Sequence, residues 1–460
     1  MHHTNRWNSS LRLVSQIKSL HIFPFLIQCP IICYKKNQVN RRFCLVILVS
    51  SLTICFFYTI SNQSTTNGES FSELTPTHIF DPNTSLRLPL SIMKNHTYEL
   101  VLLWSDLFEY SHWHQPTYFN SSTIISCSPT HQCLFTRDKR LLSRASIVAF
   151  HLYDMKRADF PERKLSTNVR QQWIFITGES PINFYYHNPS FAPYMLNNYF
   201  DRSISYKFDS PYPVFAPLLK PQNLSAEQLE HEHQLNIRSM KLKKKPILWF
   251  VSNCVTFSQR EKYVEQLKNY LAVDIFGQCG TPCSKDSSDR PCPVDVDDYY
   301  FYLALENSRC HSYITEKFWN VIADRKHRII PIVMGADEKD YEQVAPRRSF
   351  IHVNHYQTVE DLAKYLDFLM KNPKKYFEYF QWREQTEIEL LNPSRWNSLL
   401  CPLCQMTKQI RMSSPATRMN FSTWYNPKVD CHADDVEMFS KCKRVDMNTL
   451  MSWTHHIKCP

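Results

Sequence analysis

Glycine is scarce in this chain of 460 residues: only five glycines occur, at positions 68, 178, 277, 280 and 335. A Rossmann fingerprint or a Walker phosphate loop needs two or three glycines within about eight residues, because the backbone must approach the phosphate groups closely. Positions 277 and 280 are the only two glycines that close together, and their spacing fits neither G-X-G-X-X-G nor G-X-X-X-X-G-K, so both kinds of loop are excluded. A diphosphate bound by this chain would be held by basic side chains and by the amino-termini of helices.

Acidic residues are absent from residues 1–42, which contain seven Lys or Arg, and residues 43–60 contain no charge of either sign. The net charge is +10, and removing the seven positive charges of the amino-terminal tail leaves +3 for the remainder. Proteins that bind nucleic acid carry a concentrated basic patch. The sequence therefore predicts no nucleic-acid partner.

The uncharged run 43–60 is 18 residues long, which is enough for a helix to cross the hydrocarbon core of a bilayer, about 30 Å thick. Four basic residues shortly before it (Lys35, Lys36, Arg41 and Arg42) indicate a cytosolic amino-terminus. We therefore predict an uncleaved transmembrane signal anchor, with the rest of the chain lumenal or extracellular. A cleaved signal peptide is the alternative, but residues 61–63 do not form a small-residue cleavage site.

Twelve of the 16 cysteines follow the predicted anchor, and this even number favours disulfides in an oxidising compartment. A zinc site at Cys401 and Cys404, or at Cys279 and Cys283, is the alternative, but no histidine-rich pattern accompanies these pairs. Glycosylation sequons, which are used only in the secretory pathway, occur at Asn62, Asn83, Asn95, Asn120, Asn223 and Asn420.

Composition and apolar runs divide the chain into six parts. Apolar runs typical of buried strands alternate with segments long enough to form helices, and this alternation predicts an α/β fold in two large domains. The boundary between the two domains is predicted in the connector 217–245, which is rich in Pro, Glu, His and Lys. The predicted parts are a cytosolic tail (1–42), the anchor (43–60), an unstructured stem (61–97), a first α/β domain (98–220), a second α/β domain (221–400) and a cysteine-rich appendage (401–460).

The stretch 299–320 has the clearest pattern in the chain. The apolar run 299–305 is typical of a buried strand, and a helix with an apolar face is predicted to follow, with Ser312 as its cap. A further apolar run at 328–334 completes a strand–helix–strand unit. Ligands of such sheets lie beyond the carboxyl ends of the strands. We therefore predict an anion-binding site that includes Glu306, Asn307, Tyr313, Glu316 and Lys317; that Glu316 and Lys317 are simply solvated helix residues is the alternative.

Another strand–helix–strand unit is predicted over residues 247–276, with Asn253 in the turn after the first strand and Ser258 as the helix cap. Arg260 falls in the first helical turn, where a positive charge opposes the helix dipole by up to about 1 kcal/mol. A bound anion would remove that conflict. In the first domain, Glu179 follows the strand-like run 173–177 in a tight turn, which is a position facing a cleft.

The amino-acid sequence of these stretches resembles that of the α1,3-fucosyltransferases, glycosyltransferase family 10. The resemblance rests on Phe-Tyr-Leu-Ala-Leu-Glu-Asn-Ser at 301–308 with Tyr-Ile-Thr-Glu-Lys at 313–317, on Glu-Ser-Pro at 179–181, and on Ser-Asn-Cys at 252–254 followed by Ser-X-Arg at 258–260. A weaker match covers Tyr206 and Asp209. The sequence departs from the family pattern at five positions: Lys207, Pro211, Phe257, Leu305 and Ser312.

The resemblance implies two Rossmann-like domains facing a cleft, the GT-B type, behind the anchor and stem. The domain 98–220 would lie on the acceptor side, and the domain 221–400 would bind the donor. It implies inverting transfer of L-fucose from GDP-β-L-fucose to the 3-hydroxyl of an N-acetylglucosamine in an antennal lactosamine or LacdiNAc glycan, by a single-pass type II protein of the Golgi membrane. Divalent cations could stimulate this reaction, but no cofactor is required. Glu179 would be the catalytic base, and Arg260, Asn307, Tyr313, Glu316 and Lys317 would bind the donor. Asn253, Tyr206, Asp209 and Glu306 are further candidates.

Two other functions stay open at the level of sequence. The first is fucosylation of the chitobiose core of N-glycans. The second is a catalytically silent Golgi protein that binds glycans or a partner, which the five departures favour. Metal-like spacings occur at Asp295 and Asp297 and at His231, Glu232 and His233, but both groups lie in charged loop or connector sequence, and we predict no metal site.

Overall fold

The computed structural model describes residues 31–35, 42–50, 53–61, 98–105, 123–128, 131–163, 171–215, 217–283, 292, 294–390, 397–412 and 418–442. The predicted stem and the sequons at Asn62, Asn83, Asn95 and Asn120 lie outside these residues. The chain divides into two compact units, Met1–Thr84 and Ser85–Pro460.

Three antiparallel strands form the sheet of the first unit: β1 (Ile31–Lys35), β2 (Arg42–Ser50) and β3 (Thr53–Ser61). The last two occupy the run for which the sequence predicts a single membrane-spanning helix, and the anchor stays a prediction. The run is rich in Val, Ile, Thr, Phe and Tyr, which favour strands, and Ser50 pairs with Thr53. Among the described residues, no helix combines the length and the apolar character needed to cross a membrane.

The second unit begins with a six-stranded sheet in the order β5-β6-β4-β7-β8-β9, parallel except for β5. The strands are β4 (Glu99–Leu103), β5 (Thr123–Ser128), β6 (His131–Thr136), β7 (Ile147–His151), β8 (Gln172–Thr177) and β9 (Arg202–Ser205). Every residue of β7 and β8 is buried, as expected for a parallel sheet covered on both faces. The strand predicted at 173–177 is confirmed.

A five-stranded, fully parallel sheet follows in the order β12-β11-β13-β14-β15. Its strands are β11 (Lys245–Phe250), β12 (Val273–Phe276), β13 (Tyr299–Leu305), β14 (Ile330–Met334) and β15 (Ile351–His352). A small antiparallel pair, β10 (Leu218–Pro221) with β16 (Thr386–Glu389), lies apart from both large sheets. The two predicted strand–helix–strand units and the α/β fold are confirmed.

Helices connect or cover these strands. In chain order they are α1 (Pro181–His187), α2 (Ala226–Leu242), α3 (Arg260–Leu267), α4 (Glu316–Ala323), α5 (Glu338–Val344), α6 (Val359–Lys371), α7 (Pro373–Phe377), α8 (Asn397–Met412), α9 (Phe421–Trp424), α10 (Pro427–Asp430) and α11 (Ala433–Lys441). The connector 217–245 is thus largely helical, because α2 fills most of it.

Both predicted helix caps are wrong. Ser312, whose φ is +62°, lies in the loop before α4; Thr315 caps α4 instead, its hydroxyl accepting the N–H of Lys317. Ser258 donates its hydroxyl hydrogen to the Glu306 carbonyl over 2.7 Å, and Gln259 occupies the cap position of α3. Both serines are used to shape the loops beside β13.

Gly335, directly after β14, gives a direct test of how tightly this sheet edge is packed. A Cβ there would stand 2.6 Å from Cγ of Glu306 and 3.1 Å from the Tyr313 carbonyl oxygen. Gly335→Ala should therefore lower the free energy of unfolding by about 1–3 kcal/mol through overpacking, measured by urea denaturation. Gly178→Ala is the control: its nearest neighbour is the Phe215 ring at 3.1 Å, which can move. Equal effects of the two changes would contradict the packing.

Candidate functional site

The site is built around a carboxylate buried at the end of β13. Glu306 has no exposed surface, and its Oε1 accepts the N–H and the hydroxyl of Thr315, each over 2.8 Å. Its Oε2 lies 3.1 Å from the ammonium of Lys317. Burial raises the pKa of Glu306, while Lys317 opposes that shift. A buried carboxylate is tolerated only with such partners, so the strand end and the start of α4 are joined.

Lys317 is held by more than one acid. Its ammonium also lies 3.0 Å from Oε1 of Glu316 and 3.0 Å from the Thr315 hydroxyl oxygen. Burial acts to lower the pKa of Lys317, but the carboxylates of Glu306 and Glu316 outweigh it and raise that pKa above its ordinary value. The side chain keeps 27% of its surface exposed. Lys317 is therefore a charged group that can also reach a ligand.

Glu316 is more exposed than its neighbour, with 44% of its side-chain surface accessible. Burial acts to raise the pKa of Glu316, and Lys317 outweighs that effect and lowers it. Glu316 is therefore ionised and oriented by Lys317. The alternative of two simply solvated helix residues does not describe this pair, because Lys317 contacts the fully buried Glu306.

Arg260 comes to the same strand end from the other strand–helix–strand unit. It is only 4% exposed, and its guanidinium donates to the Leu305 carbonyl at 2.5 Å and to the Asn253 carbonyl at 3.2 Å. Burial lowers its pKa, and Glu306 opposes that shift. Arg260 and Lys317 thus contact neighbouring residues, Leu305 and Glu306, as the sequence predicts for two basic groups that converge on one place.

Several buried polar atoms around this place have no hydrogen-bond partner within the described part of the chain. They are Oδ1 of Asn253, Oδ1 of Asn307, Nε of Arg260 and the hydroxyl of Tyr206. Leaving such a group unpaired costs about 1–3 kcal/mol, and native proteins have few of them. Their concentration beyond the carboxyl ends of β11 and β13, and beside Tyr313, is the arrangement expected where a polar ligand or ordered water completes the bonding.

The six-stranded sheet contributes a second carboxylate from the loop after β8. Glu179 is partly exposed, and its Oε2 accepts the Asn183 amide at 3.1 Å and the Tyr313 hydroxyl at 3.4 Å. The next residue, Ser180, caps α1 and donates its hydroxyl to Ser308 at 2.8 Å. Glu179 is therefore next to the loop that leads from Glu306 to Tyr313.

The two weaker candidates have different surroundings. The ring of Tyr206 packs edge-on against that of Tyr313, with centroids 4.8 Å apart, so Tyr206 lies in the site. Asp209 accepts the indole N–H of Trp424 over 2.8 Å, so its carboxylate is directed toward the carboxy-terminal region instead.

The role of residues 418–442 was not readable from the sequence. Phe421 and Tyr425 are fully buried, and Tyr425 donates its hydroxyl to the Glu179 carbonyl over 2.6 Å. The cysteines were the available signal, because the structure contains a disulfide between Cys310 and Cys431. That bond fastens this region to the loop between Asn307 and Tyr313, but no sequence pattern identifies which cysteines pair.

The metal-like groups are used structurally. All four cysteines of the zinc alternative are in disulfides, Cys127–Cys401, Cys133–Cys404, Cys254–Cys279 and Cys283–Cys292, so their sulfurs are not thiolate ligands. Glu232 pairs with Arg328 at 2.6 Å, while His231 and His233 are exposed on α2. Asp295 accepts the N–H of Asp297 in a short turn. The two sequons within the described residues, Asn223 and Asn420, are exposed.

Comparison with known proteins covers both large sheets. Residues 96–216 match the model of the fucosyltransferase N-terminal domain, and residues 240–424 match that of the glycosyltransferase family 10 (fucosyltransferase) C-terminal domain. A solved crystal structure of an α1,3-fucosyltransferase overlaps with a TM-score of 0.40 at 14% identity, covering 71% of this chain and 94% of that one; a likeness at that score carries no argument about the site.

Three similar sequences illustrate the range of relatives. The glycoprotein 3-α-L-fucosyltransferase A of Drosophila melanogaster is 32% identical over 65% of this chain and 56% of its own length. A 4-galactosyl-N-acetylglucosaminide 3-α-L-fucosyltransferase of Pan troglodytes is 29% identical over 80% and 93%, and a human 3-galactosyl-N-acetylglucosaminide 4-α-L-fucosyltransferase is 31% identical over 64% and 76%. The chain spans little more than half of the Drosophila protein. With both domain models matched in order, the chain belongs to glycosyltransferase family 10, the fucosyltransferases.

Proposed function

We propose that this protein transfers L-fucose from GDP-β-L-fucose to the 3-hydroxyl of an N-acetylglucosamine in a glycan, with inversion at the anomeric carbon. The observation that carries the proposal is the contact between the Glu179 carboxylate and the Tyr313 hydroxyl, 3.4 Å apart. This contact brings an acidic group from the six-stranded sheet to the edge of the five-stranded sheet, where Arg260 contacts Leu305 and Lys317 contacts Glu306. Two parallel-sheet domains with a site between them fit the GT-B arrangement.

In the proposed step, Glu179 accepts the proton of the acceptor hydroxyl while that oxygen forms a bond to the anomeric carbon of fucose. The bond from that carbon to the diphosphate breaks, and GDP leaves with the bonding electrons. A positioned base contributes about 10²–10⁴-fold to such a reaction. Tyr313 and Asn183, which donate to Oε2 of Glu179, hold the carboxylate for this role.

The positive charge needed by the leaving diphosphate comes from Lys317 and Arg260. Fixed charges at the place where negative charge develops stabilise the transition state without reorganisation. Lys317 is the group that can contact a phosphate, because it retains exposed surface. Arg260 is already bonded to two carbonyl oxygens, so it acts through its charge and its unpartnered Nε. No metal ion or cofactor is required by this scheme.

The remaining candidates are assigned to the sugar and the nucleoside. The unpartnered carbonyl oxygens of the Asn253 and Asn307 side chains accept hydrogen bonds, as ribose and fucose hydroxyls require. Glu316 is ionised and exposed, so it accepts hydrogen bonds from hydroxyl groups in the same way.

The cellular setting is proposed on separate grounds. Five disulfides among the described residues and the exposed sequons at Asn223 and Asn420 support an oxidising, secretory compartment. We place the catalytic part in the Golgi lumen, attached to the membrane through the amino-terminal region.

The acceptor is proposed to be an antennal lactosamine or LacdiNAc unit. The relatives point both ways: one is a 4-galactosyl-N-acetylglucosaminide 3-α-L-fucosyltransferase, and another is a glycoprotein 3-α-L-fucosyltransferase. Core fucosylation of chitobiose therefore stays the alternative. Incubating the protein with GDP-fucose and both acceptor types distinguishes them, and no transfer to either would favour a catalytically silent protein.

Glu179→Gln should lower kcat by about 100-fold or more, because the amide cannot take the proton. Its affinity for GDP should be unchanged, because the amide oxygen still accepts a hydrogen bond from Tyr313 or Asn183. Initial rates and calorimetric titration with GDP measure the two effects. Glu265→Gln, on the exposed surface of α3, is the control; a Glu179→Gln enzyme as fast as this control would remove Glu179 from the role.

Replacing Lys317 should weaken GDP binding by about tenfold or more, since a charge-assisted hydrogen bond contributes about 1.5–3 kcal/mol. Lys317→Ala also leaves Glu306 without its cation, so the double change Glu306→Gln with Lys317→Met, which removes both charges, is measured beside it. Calorimetry with GDP gives the affinities. Lys262→Ala, an exposed lysine of α3, should bind GDP normally, and full GDP affinity in the double variant would contradict a phosphate contact.

Tyr206→Phe should make the unliganded protein more stable and the enzyme less active. Its buried hydroxyl has no partner among the described residues, so removing it should raise the free energy of unfolding by about 1 kcal/mol. Tyr376→Phe is the matched control, because that buried hydroxyl donates to the carbonyls of Tyr300 and Arg328 and its loss should destabilise the fold. A loss of stability in Tyr206→Phe would show that its hydroxyl is satisfied without a ligand.

A further inference from the structure

The region that follows the family match in the chain contacts two loops of the site. The family model ends at residue 424, and the structure describes the chain up to residue 442. We call residues 425–442 the C-terminal segment; it contains α10 and α11. Its contacts go to the two loops that carry the proposed base and the proposed donor-binding residues.

The first set of contacts reaches the Glu179 side. Tyr425 is fully buried, and its hydroxyl donates to the main-chain carbonyl of Glu179 over 2.6 Å. Asp430 forms a buried ion pair with Lys207 at 2.5 Å, next to Tyr206. These bonds fix the backbone that presents the Glu179 carboxylate without occupying the carboxylate itself.

The second set of contacts reaches residues 307–312, the donor loop that leads from β13 toward Tyr313. Asp435, which has no exposed surface, accepts the main-chain N–H of Arg309 at 2.6 Å and its Nε–H at 2.7 Å. The Asp430 carbonyl accepts the N–H of His311 at 2.7 Å, and Cys431 is disulfide-bonded to Cys310. Three consecutive residues of the donor loop are therefore held by the C-terminal segment.

Two departures from the family pattern lie where the C-terminal segment docks. Lys207 is the partner of Asp430. Phe257 is fully buried, and its ring packs edge-on against that of Phe439, with centroids 5.9 Å apart. Residues that differ from the family signature thus have matching partners in a region that the family model does not cover.

We propose that the C-terminal segment is a positioning element that sets the separation between the catalytic base and the donor loop. Tyr425 is the positioning residue for Glu179, and Asp435 is the positioning residue for the donor loop. Catalysis depends steeply on such separations, because a displacement of about 1 Å can cost about 100-fold in rate. This inference rests on the proposed function, which supplies the roles of the two loops.

The two sets of contacts made by the C-terminal segment predict different kinetic defects. Tyr425→Phe removes one hydroxyl from the base side, so kcat should fall by about tenfold while the affinity for GDP stays within about twofold of wild type. Asp435→Asn loosens the donor loop, so GDP affinity should fall by about tenfold. Both are measured in the full chain by initial rates and calorimetry. If Asp435→Asn does not fold, Arg309→Lys, which keeps the charge but loses the Nε–H contact, replaces it.

The controls are chosen to destabilise without touching either loop. Tyr376→Phe removes a buried hydroxyl that also donates to main-chain carbonyls. Asp201→Asn changes a buried carboxylate that, like Asp435, accepts a main-chain N–H (Trp173) and an arginine (Arg163). Both controls should lose stability and keep wild-type kcat and GDP affinity. If Tyr425→Phe and Asp435→Asn match these controls, the proposed positioning role is wrong.

A readout independent of turnover separates this inference from the proposed function. Amide hydrogen exchange of residues 307–313 should rise by at least about tenfold in Asp435→Asn and not in Asp201→Asn. A wild-type protein that transfers no fucose would reject the proposed function, whereas the exchange result would still decide whether the C-terminal segment holds the donor loop. Unchanged exchange in Asp435→Asn overturns the inference even in an active enzyme.

Discussion

The burial of Glu306 is the constraint on which the site depends. A carboxylate without exposed surface must be neutralised and hydrogen-bonded, and Glu306 obtains both from Thr315 and Lys317. The requirement fixes where α4 begins, holds Lys317 beside the strand end, and leaves Glu316 outside as an ionised acceptor. It also needs a residue without a side chain at Gly335, where a Cβ would meet Glu306 at 2.6 Å. The positions of the exposed residues of the site therefore follow from the contacts of this buried carboxylate.

The scarcity of glycine agrees with the way in which this site would bind phosphate, through side chains. Phosphate loops of other nucleotide-binding folds bind with main-chain N–H groups, whereas here the free polar atoms at the strand ends are side-chain atoms, with a lysine and an arginine behind them. Charged side chains are more easily displaced than backbone, so they need support. Glu306 supports Lys317, and the carbonyls of Leu305 and Asn253 support Arg260.

Much of the fold and of the candidate site could be predicted from local sequence. The parallel strands were readable because buried strands are continuous apolar runs, and the convergence of Arg260 and Lys317 follows from where the carboxyl ends of parallel strands lie. The caps at Ser312 and Ser258 were mispredicted because propensity does not reveal a left-handed residue or a serine hydroxyl already bonded to a strand end.

The C-terminal segment lay beyond sequence reasoning for a different reason. Its contacts with Glu179, Lys207 and Arg309 join residues more than 120 positions apart, and no periodic pattern records such pairings. The sequons and the even number of cysteines after residue 60 were visible in the sequence, but the identity of each cysteine pair depends on the completed fold.

The disulfides Cys127–Cys401 and Cys133–Cys404 have a consequence for biosynthesis. They bring α8 back onto the six-stranded sheet across sequence separations of 274 and 271 residues, after the whole five-stranded sheet has been made. The first sheet therefore cannot receive its covering helix while the ribosome is still translating the middle of the chain. The native disulfides of Cys127 and Cys133 can therefore form only after residues 401 and 404 have been synthesised, near the end of translation.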